Sequence, residues 1–128
     1  MEHRGRQHRV GAPYSQAVAA MPGETVFVSG QLGIDPASGT LVGDGVREQT
    51  EAALRHLATI LAEAGAGMER VVKTTVYMSD LRADFGAMNE VYAAAFAGHA
   101  PARATVGVAA LPLGARVEIE AVAVMPTS

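Results

Sequence analysis

The segment RVVKTTVYMSDLRADFGAMNEVYAAAF, residues 70–96, changes periodicity part-way along and thereby decides the fold. Its first part, up to Asp80, is rich in β-branched residues and predicts a strand. After Asp80 the apolar residues recur at helical spacing and predict a helix. The inner face of that helix is formed by Leu81, Phe85, Met88, Tyr92 and Phe96.

Outward from this segment, the chain supplies a longer helix and further strands. Residues 44–65 predict a helix with Asp44 as its N-cap and Gly65 at its end. SQAVAAMPGETVFVSG, residues 15–30, predicts a hairpin, and ARATVGVAAL and ARVEIEAVAVM predict the last two strands. The order β-β-α-β-α-β-β predicts an α+β fold, a mixed sheet with both helices on one face. Another subunit is expected to cover the other face.

Composition limits the classes of function. A chain of 128 residues is one domain by size, and we expect a flexible basic tail at 1–9 and a single domain at 10–128. The absence of cysteine excludes disulfides and thiolate chemistry and is typical of a cytoplasmic protein. With 10 Lys and Arg against 13 Asp and Glu, nucleic acid is not expected as a partner. Neither a membrane span nor metal-ligand spacing of histidines is present in the sequence.

Arg103 lies at the start of a predicted strand whose other residues are typical of a buried strand. A guanidinium keeps its charge, so it needs an anion, supplied either by the chain or by a ligand. Alternation places Arg103 and Thr105 on one face of their strand, and Glu118 and Glu120 on one face of theirs. If these strands pair as a hairpin, Arg103 forms a salt bridge with a glutamate, and parity cannot choose between Glu118 and Glu120.

Four stretches of the sequence resemble the Rid family, the reactive-intermediate deaminases once called YjgF-type proteins. They are APYSQAV, FVSGQLGIDPASGTLV, VVKTTVYMSDLRADFGAMNEVYAAAF and PARATVGVAALPLGARVEIEAVAV, and the resemblance runs over residues 12–125. It implies a chorismate-mutase-like fold and a homotrimer with clefts between subunits. It also implies hydrolysis of 2-aminoacrylate, 2-iminobutanoate and related enamines or imines to 2-oxo acids and ammonia, without a cofactor.

The resemblance also implies roles for particular residues. Arg103 matches the arginine that holds the substrate carboxylate, and Glu118 matches the residue that positions water. The remaining cleft positions match Tyr14, Ser29, Gly30, Asn89 and Thr105. Taken alone, each of the polar side chains among them also has an ordinary structural interpretation. Two other functions stay open at this point: an endoribonuclease or translation inhibitor, and a non-catalytic 2-oxo acid-binding sensor or chaperone-like protein.

Overall fold

The computed structural model describes residues 2–4 and 13–126. Within them, the strands are β1 (Glu2–Arg4), β2 (Ala17–Ala19), β3 (Gly23–Leu32), β4 (Val71–Met78), β5 (Ala102–Gly107) and β6 (Val117–Pro126). The α-helices are α1 (Val46–Glu63) and α2 (Leu81–Ala95). Of the expected tail, only Glu2–Arg4 are described, and they form β1. The rest of residues 1–9 lies outside the described part.

The main sheet is mixed, as the sequence predicts, with strand order β3-β6-β4-β5. β6 runs antiparallel to both β3 and β4. β4 and β5 are parallel, because α2 carries the chain from the end of one strand back to the start of the next. This order makes β3 and β5 the two edge strands of the sheet.

The hairpin predicted at residues 15–30 is wrong, because β2 and β3 do not pair with each other. β2 pairs with β1, and β3 pairs with β6. β5 and β6 do not pair with each other, because they lie on opposite sides of β4. The connection at residues 108–116 is longer than a tight hairpin loop, so the chain can cross β4 and place β6 on the far side of that strand.

The core lies between one face of the sheet and both helices, which confirms the predicted layering. Its fully buried members include Leu57 and Leu61 of α1, Met88 of α2, and Val76 and Ile119 of the sheet. α1 begins one residue later than expected. Gly45, rather than Asp44, is its N-cap, and the Gly45 backbone N–H donates to Glu48 Oε1 at 2.8 Å.

The opposite face of the sheet has no helix over it and is lined by charged, hydroxyl and apolar side chains. Phe27 is 77% exposed there, and a shallow depression of about 320 Å³ is lined by Phe27, Ser29, Lys73, Thr75 and Glu120, among others. We call this the open face. No helix in the described residues is long and apolar enough to cross a membrane.

Candidate active site

Arg103 lies on the helix-covered face of β5, surrounded by aromatic rings. Its Cζ atom is 4.7 Å from the ring centroid of Tyr92, 5.3 Å from that of Tyr14 and 5.8 Å from that of Phe85. Its Nη1 donates to Asn89 Oδ1 at 2.6 Å. We call this group, formed by Tyr14, Phe85, Asn89, Tyr92 and Arg103, the arginine seat. Cations over ring faces are attracted by the ring quadrupole, so the rings hold the guanidinium in place.

Helical spacing in α2 builds most of the arginine seat. Phe85, Asn89 and Tyr92 follow one another at four and three residues, so they lie on one face of the helix. Tyr92 is fully buried, and its hydroxyl lies 2.6 Å from Thr74 Oγ1. Thr74 is the residue of β4 in register with Arg103, so this hydroxyl pair fixes α2 against the strands that carry the seat.

The segment before β2 brings Tyr14 to the arginine seat. Ser15 is buried, its hydroxyl donates to the Ala100 carbonyl at 2.6 Å, and its backbone N–H donates to the Pro101 carbonyl at 2.9 Å. These bonds attach the segment to the turn that precedes β5. As a result, the neighbouring Tyr14 ring is placed over the guanidinium.

The electrostatics of the arginine seat favour an external anion. Burial lowers the pKa of the Arg103 guanidinium, and Tyr92 and Tyr14 partly oppose that shift. The side chain nevertheless remains charged, as arginine does in proteins. Within residues 2–4 and 13–126, no carboxylate pairs with Arg103. An internal salt bridge from Arg103 to Glu118 or Glu120, the alternative in which the chain supplies the anion, does not form, because both glutamates lie on the other face of the sheet.

Thr105 faces the same side of β5 as Arg103, as strand alternation predicts. Its Oγ1 is buried and has no hydrogen-bond partner among the described residues. A buried hydroxyl without a partner costs about 1–3 kcal/mol, so such an atom is suited to meet a ligand.

A second group of the expected residues lies at a bulge between β3 and β6. Ser29 and Gly30 together lie opposite the single residue Glu120, so the bulge adds one residue to β3 at this point. The Glu118 side chain packs against Gly30, where a Cβ atom would lie only 2.7 Å from Glu118 Cδ. Only glycine therefore admits the carboxylate in this position. We call Ser29, Gly30 and Glu118 the carboxylate corner.

The two glutamates that strand parity could not separate differ in their contacts. Glu120 Oε1 accepts a hydrogen bond from the Tyr77 hydroxyl at 2.8 Å. This hydrogen bond raises the pKa of Tyr77. Glu118 makes no hydrogen bond or ion pair to any residue in the described part of the chain. Glu118 is thus the carboxylate with open hydrogen-bonding capacity.

The arginine seat and the carboxylate corner do not meet within one chain. Arg103 is in register with Thr74, which pairs with Ala121 of β6, three residues from Glu118. The two Cα atoms are therefore separated by about 10 Å across the strands and about 10 Å along them. Their side chains also point to opposite faces. The structure therefore brings Tyr14, Asn89, Arg103 and Thr105 to one side of the sheet, and Ser29, Gly30 and Glu118 to the other.

Three aromatic residues in or beside these groups were not recognised as functional from the sequence: Phe85 and Tyr92 of the arginine seat, and Tyr77 near the carboxylate corner. Phe85 and Tyr92 were assigned to the core, but Phe85 is 38% exposed and covers Arg103. Their spacing from Asn89 on α2 was the available signal. Tyr77 donates a hydrogen bond to Glu120. Only the register of β4 and β6 places the two residues side by side, and the sequence does not give that register. No group of three or more His, Asp or Glu side chains in the described residues could hold a metal ion.

The fold and these two groups define an α+β protein in which, among the described residues, an arginine without a carboxylate partner lies on one sheet face and a carboxylate without a hydrogen-bond donor lies on the other. The Endoribonuclease L-PSP family matches residues 6–125, and the chain belongs to that family. It is 54% identical over 112 residues to the mouse 2-iminobutanoate/2-iminopropanoate deaminase, covering 88% of this chain and 81% of the mouse protein.

Two solved structures and a human relative agree with the family assignment. RidA from an Antarctic Psychrobacter bacterium has a TM-score of 0.76 and 40% identity, covering 97% of this chain and 94% of that one. E. coli TdcF with bound serine has a TM-score of 0.75 and 36% identity, covering 92% and 97%. The human 2-iminobutanoate/2-iminopropanoate deaminase is 50% identical, covering 88% of this chain and 80% of its own.

Proposed function

We propose that the protein hydrolyses 2-imino acids and their enamine tautomers, such as 2-iminobutanoate and 2-aminoacrylate, to 2-oxo acids and ammonia. The observation that carries the proposal is the arginine seat, in which Arg103 has no carboxylate partner among the described residues. A seat of this kind suits a small carboxylate ligand. Mouse, rat and human relatives named as deaminases for such imines add support.

Arg103 binds the substrate carboxylate in this proposal. Asn89 accepts from Nη1, and the rings of Tyr14, Phe85 and Tyr92 restrict the guanidinium, so its remaining N–H groups are oriented before the ligand arrives. A charge-assisted hydrogen bond of this kind contributes about 1.5–3 kcal/mol. The bound serine in the E. coli TdcF structure is also a small molecule with a carboxylate.

Glu118 acts on water. An iminium carbon is already electrophilic, so orientation of the two reactants accounts for most of the rate enhancement. Glu118 takes a proton from the water as its oxygen bonds to the imine carbon. Glu118 then gives this proton to the nitrogen of the tetrahedral intermediate and takes the hydroxyl proton as the C–N bond breaks, the C=O bond forms and ammonia leaves. Glu118 fits this role better than Glu120, which is bound by Tyr77.

A shared site follows from the separation of the two groups. The carboxylate carbon and the imine carbon of the substrate are bonded neighbours, so one substrate must reach Arg103 and Glu118 together. We propose a homotrimer in which the β5 edge of one subunit lies against the β3 edge of the next. Arg103 is on β5, and Glu118 packs beside Gly30 of β3, so both groups lie towards those edges. A closed ring would also cover the exposed Phe27 on the open face.

The proposal places the enzyme in the cytoplasm as a single domain at residues 10–128 that acts without a cofactor. The absence of cysteine supports a reducing compartment. The chemistry needs a carboxylate-binding cation and a base, which Arg103 and Glu118 can provide, and one water molecule from the solvent. The chorismate-mutase-like arrangement that the resemblance implies would bring three such sites into one assembly.

The first test generates 2-aminoacrylate with a serine dehydratase and follows 2-oxo acid release in competition with a trapping amine. Wild type is expected to accelerate release, and Arg103→Ala and Glu118→Ala are expected to abolish the acceleration. Arg47→Ala removes a different, solvent-exposed arginine and should behave as wild type. If the wild type releases product no faster than buffer, the protein is not this deaminase.

The same variants separate the enzyme from a non-catalytic sensor. Calorimetry with 2-oxobutanoate measures binding without turnover. An enzyme with Glu118→Ala should still bind 2-oxobutanoate but fail to hydrolyse the imine, whereas a sensor would show binding and no turnover even as wild type. Cleavage of RNA by the wild type that survives in Arg103→Ala would favour the endoribonuclease function that the family description names.

A further inference from the structure

We propose that Arg116 is a positioning residue for the arginine seat. Through Asp84 it holds the first turn of α2 against the starts of α1 and β6, and so it sets where Phe85 and Asn89 meet Arg103. This inference rests on the proposed function, because it concerns the affinity of the same seat for a substrate carboxylate. Arg116 itself does not touch the ligand.

The contacts of Arg116 join three elements. Its Nη1 donates to Asp84 Oδ2 at 3.0 Å, in the first turn of α2. Its Nε donates to the Asp44 carbonyl at 2.7 Å, just before α1, and its backbone N–H donates to Gln49 Oε1 at 2.8 Å. The Asp84 side chain is only 14% exposed and the Arg116 side chain 43%, so water screens this ion pair from the arginine side only.

Gln49 makes the attachment rigid. It is 1% exposed, and its Nε2 donates to the Gly43 carbonyl at 2.8 Å while its Oε1 accepts from Arg116. The buried Gln49 amide therefore connects the loop before α1, at Gly43, to the backbone of Arg116. Arg116 needs two differently directed N–H donors, for Asp44 and Asp84, which a lysine ammonium on a flexible stem reproduces poorly.

The influence of Arg116 on the position of Arg103 is transmitted through α2. Asp84 directly precedes Phe85, whose ring covers the guanidinium, and it lies in the turn before Asn89. The bond from Arg103 to Asn89 is the one side-chain hydrogen bond that the described residues give this guanidinium. A change in the position of the first turn of α2 therefore moves the Phe85 ring and the Asn89 acceptor together. The substrate carboxylate would then meet a less well oriented arginine.

A second ion pair offers a matched control. Arg47 of α1 pairs with Glu90 of α2, so it also connects the two helices. Its side chains are 56% and 68% exposed, and exposed pairs of this kind contribute little. Removing Arg47 tests the loss of an arginine and an interhelical ion pair without disturbing the first turn of α2.

The experiment compares Arg116→Met, Arg116→Lys and Asp84→Asn with Arg47→Met in imine hydrolysis. The dissociation constant of 2-oxobutanoate is measured for the same proteins. We expect Arg116→Met to raise KM and that dissociation constant about tenfold while kcat changes by less than about threefold. Arg116→Lys should recover part of the affinity, and Arg47→Met should stay within about twofold of wild type. A lowered Tm with unchanged KM would show a merely structural role and overturn the inference.

Two further arms keep the inference separate from the fate of the proposed function. If wild type does not turn over imines, the proposed function fails, and NMR of the Arg103 side chain then decides the inference. Ring-current shifts from the three rings should change in Arg116→Met and not in Arg47→Met. Unchanged shifts in both would refute it. If Arg116→Met does not fold, Asp84→Asn replaces it, and wild-type KM or wild-type shifts in that variant would refute the inference.

Discussion

Replacing Gly30 with alanine should separate water activation from carboxylate binding. The new Cβ atom would overlap Glu118 Oε2 and lie 2.7 Å from Cδ and 3.0 Å from Cγ. The half-exposed carboxylate must therefore move by about 1 Å or more to restore an ordinary contact, and misplacement on that scale costs about 100-fold in rate. Gly30 has no positive φ, so alanine causes no backbone strain and the fold should keep its stability to within about 1 kcal/mol.

The assay measures kcat for imine hydrolysis and the dissociation constant of 2-oxobutanoate. Gly30→Ala should lower kcat about 100-fold and leave the dissociation constant within about threefold, because Arg103 is untouched. The same change in a Glu118→Gln background should add little further loss. Gly86→Ala is the control, because apart from its chain neighbours and the backbone of its own helix no atom of the described residues lies within 4 Å of its Cβ position. A Gly30→Ala enzyme with wild-type kcat would refute the role given to Glu118.

Three further predictions concern buried hydroxyl groups. Tyr92→Phe leaves Thr74 Oγ1 without its partner, so urea unfolding at pH 7 should show a loss of about 1–3 kcal/mol; an unchanged midpoint would contradict the pairing. Burial raises the pKa of Tyr92 from 10.0 to about 12, so the unfolded chain loses this proton first. The stability of wild type relative to Tyr92→Phe should therefore decline by about 2 kcal/mol from pH 10 to 12, and parallel pH profiles would contradict that pKa. Thr105→Val removes a hydroxyl that lacks a partner among the described residues, so the free energy of unfolding should rise by about 1 kcal/mol; a fall would indicate a hydrogen bond in solution.

Periodicity was sufficient to predict the elements of this fold, because alternation and helical spacing are local properties of the chain. The inner face of α2 was predicted at residues 81–96, and Met88, Tyr92 and Phe96 are buried there. Phe85, near the start of the same helix face, is instead 38% exposed and lies over Arg103. The apolar residues of a helix predict which side of it faces the sheet, but they do not predict where the sheet ends below the helix.

Strand pairing was the part that local patterns could not determine. Alternation correctly placed Arg103 with Thr105, and Glu118 with Glu120, but it could not relate one strand's faces to the other's. That relation depends on β4, which lies between β5 and β6. The family motifs pointed to Arg103 and Glu118 as candidate site residues, but only the pairing reveals that they point away from each other within one chain.

Subunit complementation tests the central claim most directly, namely that Arg103 of one copy and Glu118 of the next act on one substrate. Differently tagged Arg103→Ala and Glu118→Ala chains, each inactive alone, are unfolded together and refolded in equal amounts. Three-quarters of randomly assembled trimers are mixed, and each has one intact site of three, so about a quarter of wild-type activity should return. If tag purification shows mixed trimers and they remain inactive, the two residues do not share a site between subunits.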